Sequence, residues 1–213
     1  MRVVILGAGG GVGSRAVLAA VAAGHDVVAV ARTARDVPPG ARGVSADVRD
    51  ARAVRDALTG ADALLWCVGV TRHSGPDVGR ASMPHLVRAA EELGVGRLVS
   101  VSGAGVTLPG DAKGAGARFV SALTRTFARD LVEDKQGEHD ILLGSGLSWT
   151  EVRPPRLSGV PGVGSWQLTD EAPGLRAATV SKADVAAAMV HLAGSSEWDR
   201  RSPFLLAGTP LRS

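Results

Sequence analysis

The stretch Arg2-Val3-Val4-Ile5-Leu6-Gly7-Ala8-Gly9-Gly10-Gly11-Val12-Gly13 decides how this chain folds. Arg2 to Leu6 reads as a short buried strand, and the residues from Val12 onward carry a helical period, so the glycines fall in the turn between them. Gly7 can supply the tight turn. Gly10 lets the backbone approach a bulky anion with no β-carbon in the way, and Gly13 permits close packing of helix on strand. The helix N-terminus then offers unpaired amide donors to phosphate oxygens. In a chain with 28 glycines this spacing arises by chance, and the alternative is a plain structural turn. Its place between a strand and a helix is what the phosphate-binding mechanism requires. Gly7, Gly10, Gly11, Val12 and Gly13 are therefore expected to bind a dinucleotide.

Working outward, Val12, Ala16, Val17, Ala20 and Val21 share one face of a helix over residues 12 to 23, which Gly24 ends. Asp26 to Ala31 reads as a second strand and Val44 to Ala46 as a short third. Asp50 caps a helix through Leu58, and Ala61 to Val68 is a buried fourth strand. Met83, Leu86, Val87 and Ala90 mark a third helix stopped by Gly94, and Arg97 to Ser102 is a fifth strand. A glycine-rich loop from Gly103 to Gly116 follows. Phe119, Leu123, Phe127 and Leu131 then step by four along a helix running with a break towards Leu143, a stripe expected in the core. Leu147 to Arg153 is a sixth strand, halted by Pro154-Pro155. Residues 156 to 180 are loop-like, with short strands near Trp166 and Thr179. Ser181 caps a helix whose apolar face is Val185, Ala188, Met189 and Leu192, and Pro203 to Ala207 is a last strand.

Strands alternating with helices predict an α/β fold, a Rossmann-like doubly wound parallel sheet. The expectation is one domain over residues 1–213, with 156–180 as a small substrate-side segment. Ligands of such sheets bind beyond the carboxyl ends of the strands. The glycine turn, Arg32, Gly69 and Ser102 all fall there.

With 45% hydrophobic residues, the 213-residue chain can bury one substantial core. No apolar run reaches the roughly 18 residues that span a bilayer, and no signal peptide precedes the first strand, so a cytoplasmic location is expected. Cys67 lies in an apolar run and reads as a buried structural thiol. The net charge is only +3, with arginines interleaved among aspartates and 3% aromatics. Nucleic acid is therefore not an expected partner, nor is a membrane. No His, Cys and Asp cluster has metal-ligand spacing, and His73, His85 and His191 stand alone. Gly144-Ser145-Gly146 precedes a strand, the wrong place for a nucleophile elbow. The chain is read as a monomer or homodimer acting on a small molecule.

The second strand ends Val30-Ala31-Arg32-Thr33, where an NAD-specific site usually offers a carboxylate to the ribose diol. A guanidinium and a hydroxyl there favour NADP (NADPH). Arg32 can pair with the 2′-phosphate, with Thr33 or Arg35 adding donors. The alternatives are a surface arginine and a ribose contact from Asp36. Asp47 and Val48 can flank the adenine, although Asp47 also suits a helix start. Gly69 offers bare backbone to the cofactor, or simply ends its strand.

These residues, together with Gly24-His25-Asp26-Val27, Val99-Ser100-Val101-Ser102, Ser145-Gly146-Leu147-Ser148-Trp149-Thr150-Glu151-Val152-Arg153-Pro154-Pro155 and Val180-Ser181-Lys182-Ala183-Asp184-Val185, give the chain a family resemblance over nearly its whole length. It resembles the atypical short-chain dehydrogenase/reductase group, in the NAD(P)H-binding branch that contains the flavin reductase also called biliverdin-IXβ reductase. The resemblance implies that the turn at Pro154 and the segment after it frame the nicotinamide and acceptor pocket, into which Ser102 points. It also sets His139 and Lys135 near positions where the flavin reductase carries histidines. His139 is either a proton relay or an ordinary surface histidine, Lys135 is expected to do no more than meet solvent, and Ser102 is either functional or a strand-end cap.

Short-chain dehydrogenases of the usual kind exchange a proton through a tyrosine whose pKa a lysine lowers. This chain has no tyrosine. The expectation is an NADPH-dependent reductase passing hydride to a flat acceptor such as a flavin or quinone, with Ser102 and His139 as catalytic candidates. The alternatives are a non-catalytic NADP-binding redox sensor and an enzyme of the nucleotide-sugar epimerase or dehydratase kind. Fold alone does not choose among them.

Overall fold

A computed structural model describes residues 1–33, 37, 39–108, 111, 128–173 and 179–208. In chain order the elements are β1 (Arg2–Leu6), α1 (Gly13–Ala22), β2 (Asp26–Ala31), β3 (Ala41–Ser45), α2 (Ala51–Leu58), β4 (Ala63–Trp66), α3 (Val78–Leu93), β5 (Arg97–Val101), α4 (Arg129–Gly144), β6 (Trp149–Val152), β7 (Leu157–Ser158), β8 (Trp166–Thr169), β9 (Val180–Ser181), α5 (Lys182–Ala193) and β10 (Phe204–Ala207). The first six strands form one parallel sheet in the order β3-β2-β1-β4-β5-β6. The chain leaves β1 in both directions across this sheet, so the switch point lies between β1 and β4, where doubly wound folds bind their ligands.

Side chains alternate across the pleat and feed two separate cores. Val4 and Leu6 join Leu64, Trp66, Leu98 and Trp149 beneath α2, α3 and α4. Val3 and Ile5 face the other way, with Val17, Leu65, Val99 and Val152, beneath α1 and α5. Local capping matches the sequence. Asp50 accepts from the Arg52 and Ala53 amides at 2.9 and 3.1 Å, and Ser181 Oγ accepts from the Asp184 amide at 2.9 Å. Gly94 ends α3 in the left-handed region at φ +68°.

Three expectations are corrected. The third strand starts at Ala41, not Val44, because its register partner β2 holds it through Val27↔Ala41. The last strand does not extend the parallel sheet. Arg201 bridges Thr150 of β6 and Phe204 bridges Arg153 just after it, and β10 then pairs antiparallel with β8 as a separate ribbon. Leu131 is 38% exposed rather than core. The Phe119, Leu123 and Phe127 of its stripe lie outside the described residues. The buried face of α4 carries Val132, Asp134, Lys135, Glu138, His139 and Leu142, a largely polar set that apolar periodicity does not detect.

Candidate active site

The glycine turn is built as the spacing requires. Gly7 has φ +82°, and a β-carbon there would lie 2.8 Å from the Cys67 carbonyl group. At Gly13 a β-carbon would lie 2.2 Å from Gly7 O, and at Gly10 it would lie 3.1 Å from that oxygen. Both Gly7 and Ala8 donate to Val30 O at 3.0 Å, which draws the turn across β2. Val12 is buried in the core beneath α1, so it brings only its backbone to the turn. The start of α1 has no side-chain cap and no acid in its first turn. Among the described residues, no carbonyl or side chain accepts from the amides of Gly11, Val12 or Gly13. An uncapped helix start of this kind, with amide donors that meet no partner among the described residues, fits a diphosphate.

Around the turn, Arg32 and Thr33 are exposed at the end of β2, and Arg32 Nη1 donates to His73 O at 2.5 Å. Arg35 and Asp36 lie outside the described residues. Asp47 is exposed, and its carboxylate accepts from the Arg49 amide at 2.9 Å, the helix-start role that was its alternative reading. Val48 packs its side chain against the core, and His85, expected to stand alone, has Nε2 2.6 Å from Val48 O. Gly69 has open space where a β-carbon would stand, so packing within the protein does not demand glycine there.

At the end of β5, Ser102 Oγ is buried and meets no partner among the described residues. Its amide donates to Val152 O at 2.9 Å, and Ala104 donates to Pro154 O at 2.9 Å, so the loop after β5 runs beside the buried Pro154. Arg153 fixes that loop. Its guanidinium forks onto the two carboxylate oxygens of Asp111 at 2.7 and 2.6 Å, donates to Val106 O, and lies 4.1 Å from the Phe204 ring centroid. The sequence named Arg153 only as part of a motif; its role follows from burial beside the equally buried Asp111.

Helix α4 contributes a second row of groups. Lys135 is not a solvated residue: its Nζ is buried, donates to Val68 O at 2.8 Å just past β4, and pairs with Glu138 at 2.8 Å. Burial pushes the Glu138 carboxyl up to about 7, while the Lys135 charge and the facing Trp66 N–H pull it down. Asp134 accepts from the Gly79 and Arg80 amides at 3.0 and 2.9 Å and so caps α3 from outside. His139 is not a surface histidine either. Its Nδ1 lies 2.9 Å from Glu151 Oε2, which also accepts from Ser202 Oγ at 3.0 Å, and its ring stands edge-on to Trp149. A cavity of about 520 Å³ opens beside it, walled in part by Trp149, Arg153 and Phe204. Glu138, Glu151 and Asp134 escaped the sequence reading because nothing local marks a carboxylate as buried. Cys67, expected to be buried, is half-buried and packs against the core beneath α1 and α5; burial of the thiol pushes it up to about 12, against the Lys135 charge.

A sequence model of a family described as NAD(P)H-binding matches residues 7–195, from the glycine turn to the end of α5. The chain belongs to the NAD(P)H-binding family. Solved structures share its fold throughout. ChuY, an anaerobilin reductase from Escherichia coli O157:H7, is 24% identical with a TM-score of 0.78, and all of both chains is covered. The oxidoreductase ylbE from Lactococcus lactis is 20% identical with a TM-score of 0.79, over 98% of this chain and 92% of the other. A short-chain dehydrogenase/reductase from Veillonella parvula, solved with NADP, is 19% identical with a TM-score of 0.77, over 98% of this chain and 95% of that one. In sequence, an uncharacterized protein of Mycobacterium tuberculosis is 36% identical over 103 residues, 48% of this chain. The match spans 12% of that relative's length. The resemblance read from the motifs is borne out for family and fold. No helix among the described residues is long and apolar enough to cross a membrane.

Proposed function

We propose that this chain is an NADPH-dependent reductase acting on a flat, electron-poor acceptor such as a flavin or quinone. The observation that carries this reading is Ser102 Oγ, buried and without a partner among the described residues at the carboxyl edge of the sheet, in a chain with no tyrosine. A bound nicotinamide supplies hydride. The amides of Gly11, Val12 and Gly13 hold the diphosphate, and Arg32 at the end of β2 takes the 2′-phosphate by charge-assisted hydrogen bonds, releasing or sharing its bond to His73 O. Ser102 holds a polar atom of the cofactor or acceptor and is a weak proton donor. That suffices for an acceptor that delocalises incoming charge and takes its proton from water.

Of the segment 156–180, residues 174–178 lie outside the described residues; the rest frames the acceptor, anchored where Asp184 accepts from the Val163 and Gly164 amides at 3.1 and 3.0 Å. Lys135 fixes the end of β4 through Val68 O, so Gly69 is held beside the cofactor path. His139 is locked to Glu151 and orients through it, with a ring that can relay a proton from the adjoining cavity. ChuY, a reductase on the same fold, supports the reaction class.

The test is NADPH oxidation with flavins, quinones and aldehydes, alongside NADPH and NADH titrations. Turnover is expected with the flat acceptors, and NADPH should bind more tightly than NADH. Arg32→Ala should weaken NADPH about 10- to 100-fold, the effect of losing a hydrogen bond to a charged group, and should spare NADH. Tight NADPH binding with no turnover on any acceptor would overturn the reductase and favour the sensor. Equal losses for both cofactors would remove Arg32 from the phosphate.

A further inference from the structure

Lys182 opens α5, yet it is seated on the glycine turn, 171 residues earlier in the chain. Its Cδ and Nζ both lie 3.0 Å from the point where a β-carbon on Gly11 would stand. The missing side chain of Gly11 is the seat of this lysine.

Several features of that seat point to an anion. Lys182 is half-buried and forms no ion pair or hydrogen bond among the described residues, so its ammonium is available to an anion. The carboxylate nearest in sequence, Asp184, is occupied by the Ser181 hydroxyl at 2.9 Å and by the amides of Val163 and Gly164. Arg15, the other cation at the turn, is spent on Gly11 O at 2.7 Å. Lys182 also stands in the first turn of α5, the end at which a helix dipole disfavours positive charge. Next to it, the amides at the α1 start meet no partner among the described residues, and that first turn holds no acidic residue.

From this we infer that Lys182 is the cation that closes the diphosphate cradle, binding the dinucleotide diphosphate from above while the α1 amides hold it from below. The inference rests on the cofactor reading above and extends it to a residue from the far end of the chain. It separates two anion sites. Arg32, at the end of β2, takes the 2′-phosphate and discriminates between cofactors. Lys182, at the switch point, takes the diphosphate common to both and does not discriminate.

The test is calorimetric titration of the whole chain with NADPH, NADH, ADP and 2′-AMP, the last two carrying a diphosphate alone and a 2′-phosphate alone. Lys182→Met should weaken NADPH, NADH and ADP by a common factor of about 10 to 100, the range for a hydrogen bond to a charged group, and leave 2′-AMP unchanged. Arg32→Ala should weaken NADPH and 2′-AMP and leave NADH and ADP unchanged. Gly11→Ala supplies a second route that leaves the lysine in the chain. The new β-carbon would meet only the far end of a flexible side chain, so the variant should fold, displace the ammonium and weaken ADP. Added to Lys182→Met, it should cost little more, because both changes remove one interaction.

Unchanged ADP affinity in folded Lys182→Met, or a loss that falls equally on 2′-AMP, would overturn the inference. So would independent, additive effects of the two substitutions. A wild-type chain that binds neither NADPH nor NADH would instead overturn the cofactor reading itself. If Lys182→Met fails to fold, Lys182→Gln, which keeps a polar tip without the charge, decides the matter by its ADP affinity.

Discussion

The buried carboxyl of Glu138 makes stability depend on pH in a direction opposite to that of most carboxylates. Its pKa is raised from 4.5 to about 7 because α4 buries it against the sheet, with Lys135 as its ionic partner. Below pH 4.5 the group is protonated in both folded and unfolded chains, and its contribution is fully present. As pH rises, the unfolded chain ionises first, so the folded state loses ground until pH passes about 7. The 2.5 pH units between 7 and 4.5, at roughly 1.4 kcal/mol each, give a loss of about 3 kcal/mol. Glu138→Gln keeps the size of the side chain and an oxygen for the Lys135 ammonium but does not titrate. Urea unfolding of both proteins from pH 4 to 8.5 isolates the effect, since groups that do not touch Glu138 cancel in the difference. The variant should gain on the wild type by about 3 kcal/mol across that range, most steeply between pH 5 and 7. A difference that stays flat, or that grows as pH falls, would refute the argument that burial dominates over the lysine.

Gly13→Ala should abolish NADPH binding and lower Tm, since a β-carbon 2.2 Å from Gly7 O forces α1 off β1. Overpacking of this kind costs about 1 to 3 kcal/mol or more, and unchanged Tm and affinity would count against the close contact. Ser102→Ala should reduce flavin-dependent turnover by less than about 100-fold, the lower edge for a positioned proton donor. Complete loss with intact NADPH affinity would point to an acceptor that needs obligate protonation. Cys67, with its thiol near 12, should react with iodoacetamide at pH 8 on the order of a thousandfold more slowly in the folded protein than in urea. Equal rates would show that the thiol is not held in the apolar layer.

Much of the fold could be read directly from the chain. The glycine turn between β1 and α1, the caps at Asp50 and Ser181, the stop at Gly94 and the buried runs of β2, β4 and β5 are decided by backbone sterics, capping and hydrophobic period. Those are properties of neighbours in sequence. Alternation of such elements is enough to set a parallel doubly wound sheet, and with it the edge where Arg32, Gly69 and Ser102 come to lie.

The partners of charged groups were not legible in this way. Asp134, Lys135, Glu138 and His139 have the composition of a solvated helix face, and only the packing of α4 on α3 and β6 turns them inward to α3's amides, Val68 O and Glu151. Lys182 reads as one more surface lysine until α5 lies across the switch point and sets it on Gly11. The physical reason is the range of the forces. Strand, turn and helix are written in local torsions and apolar spacing, whereas the worth of a charge depends on what the rest of the chain places within a few ångströms of it and how much water it removes.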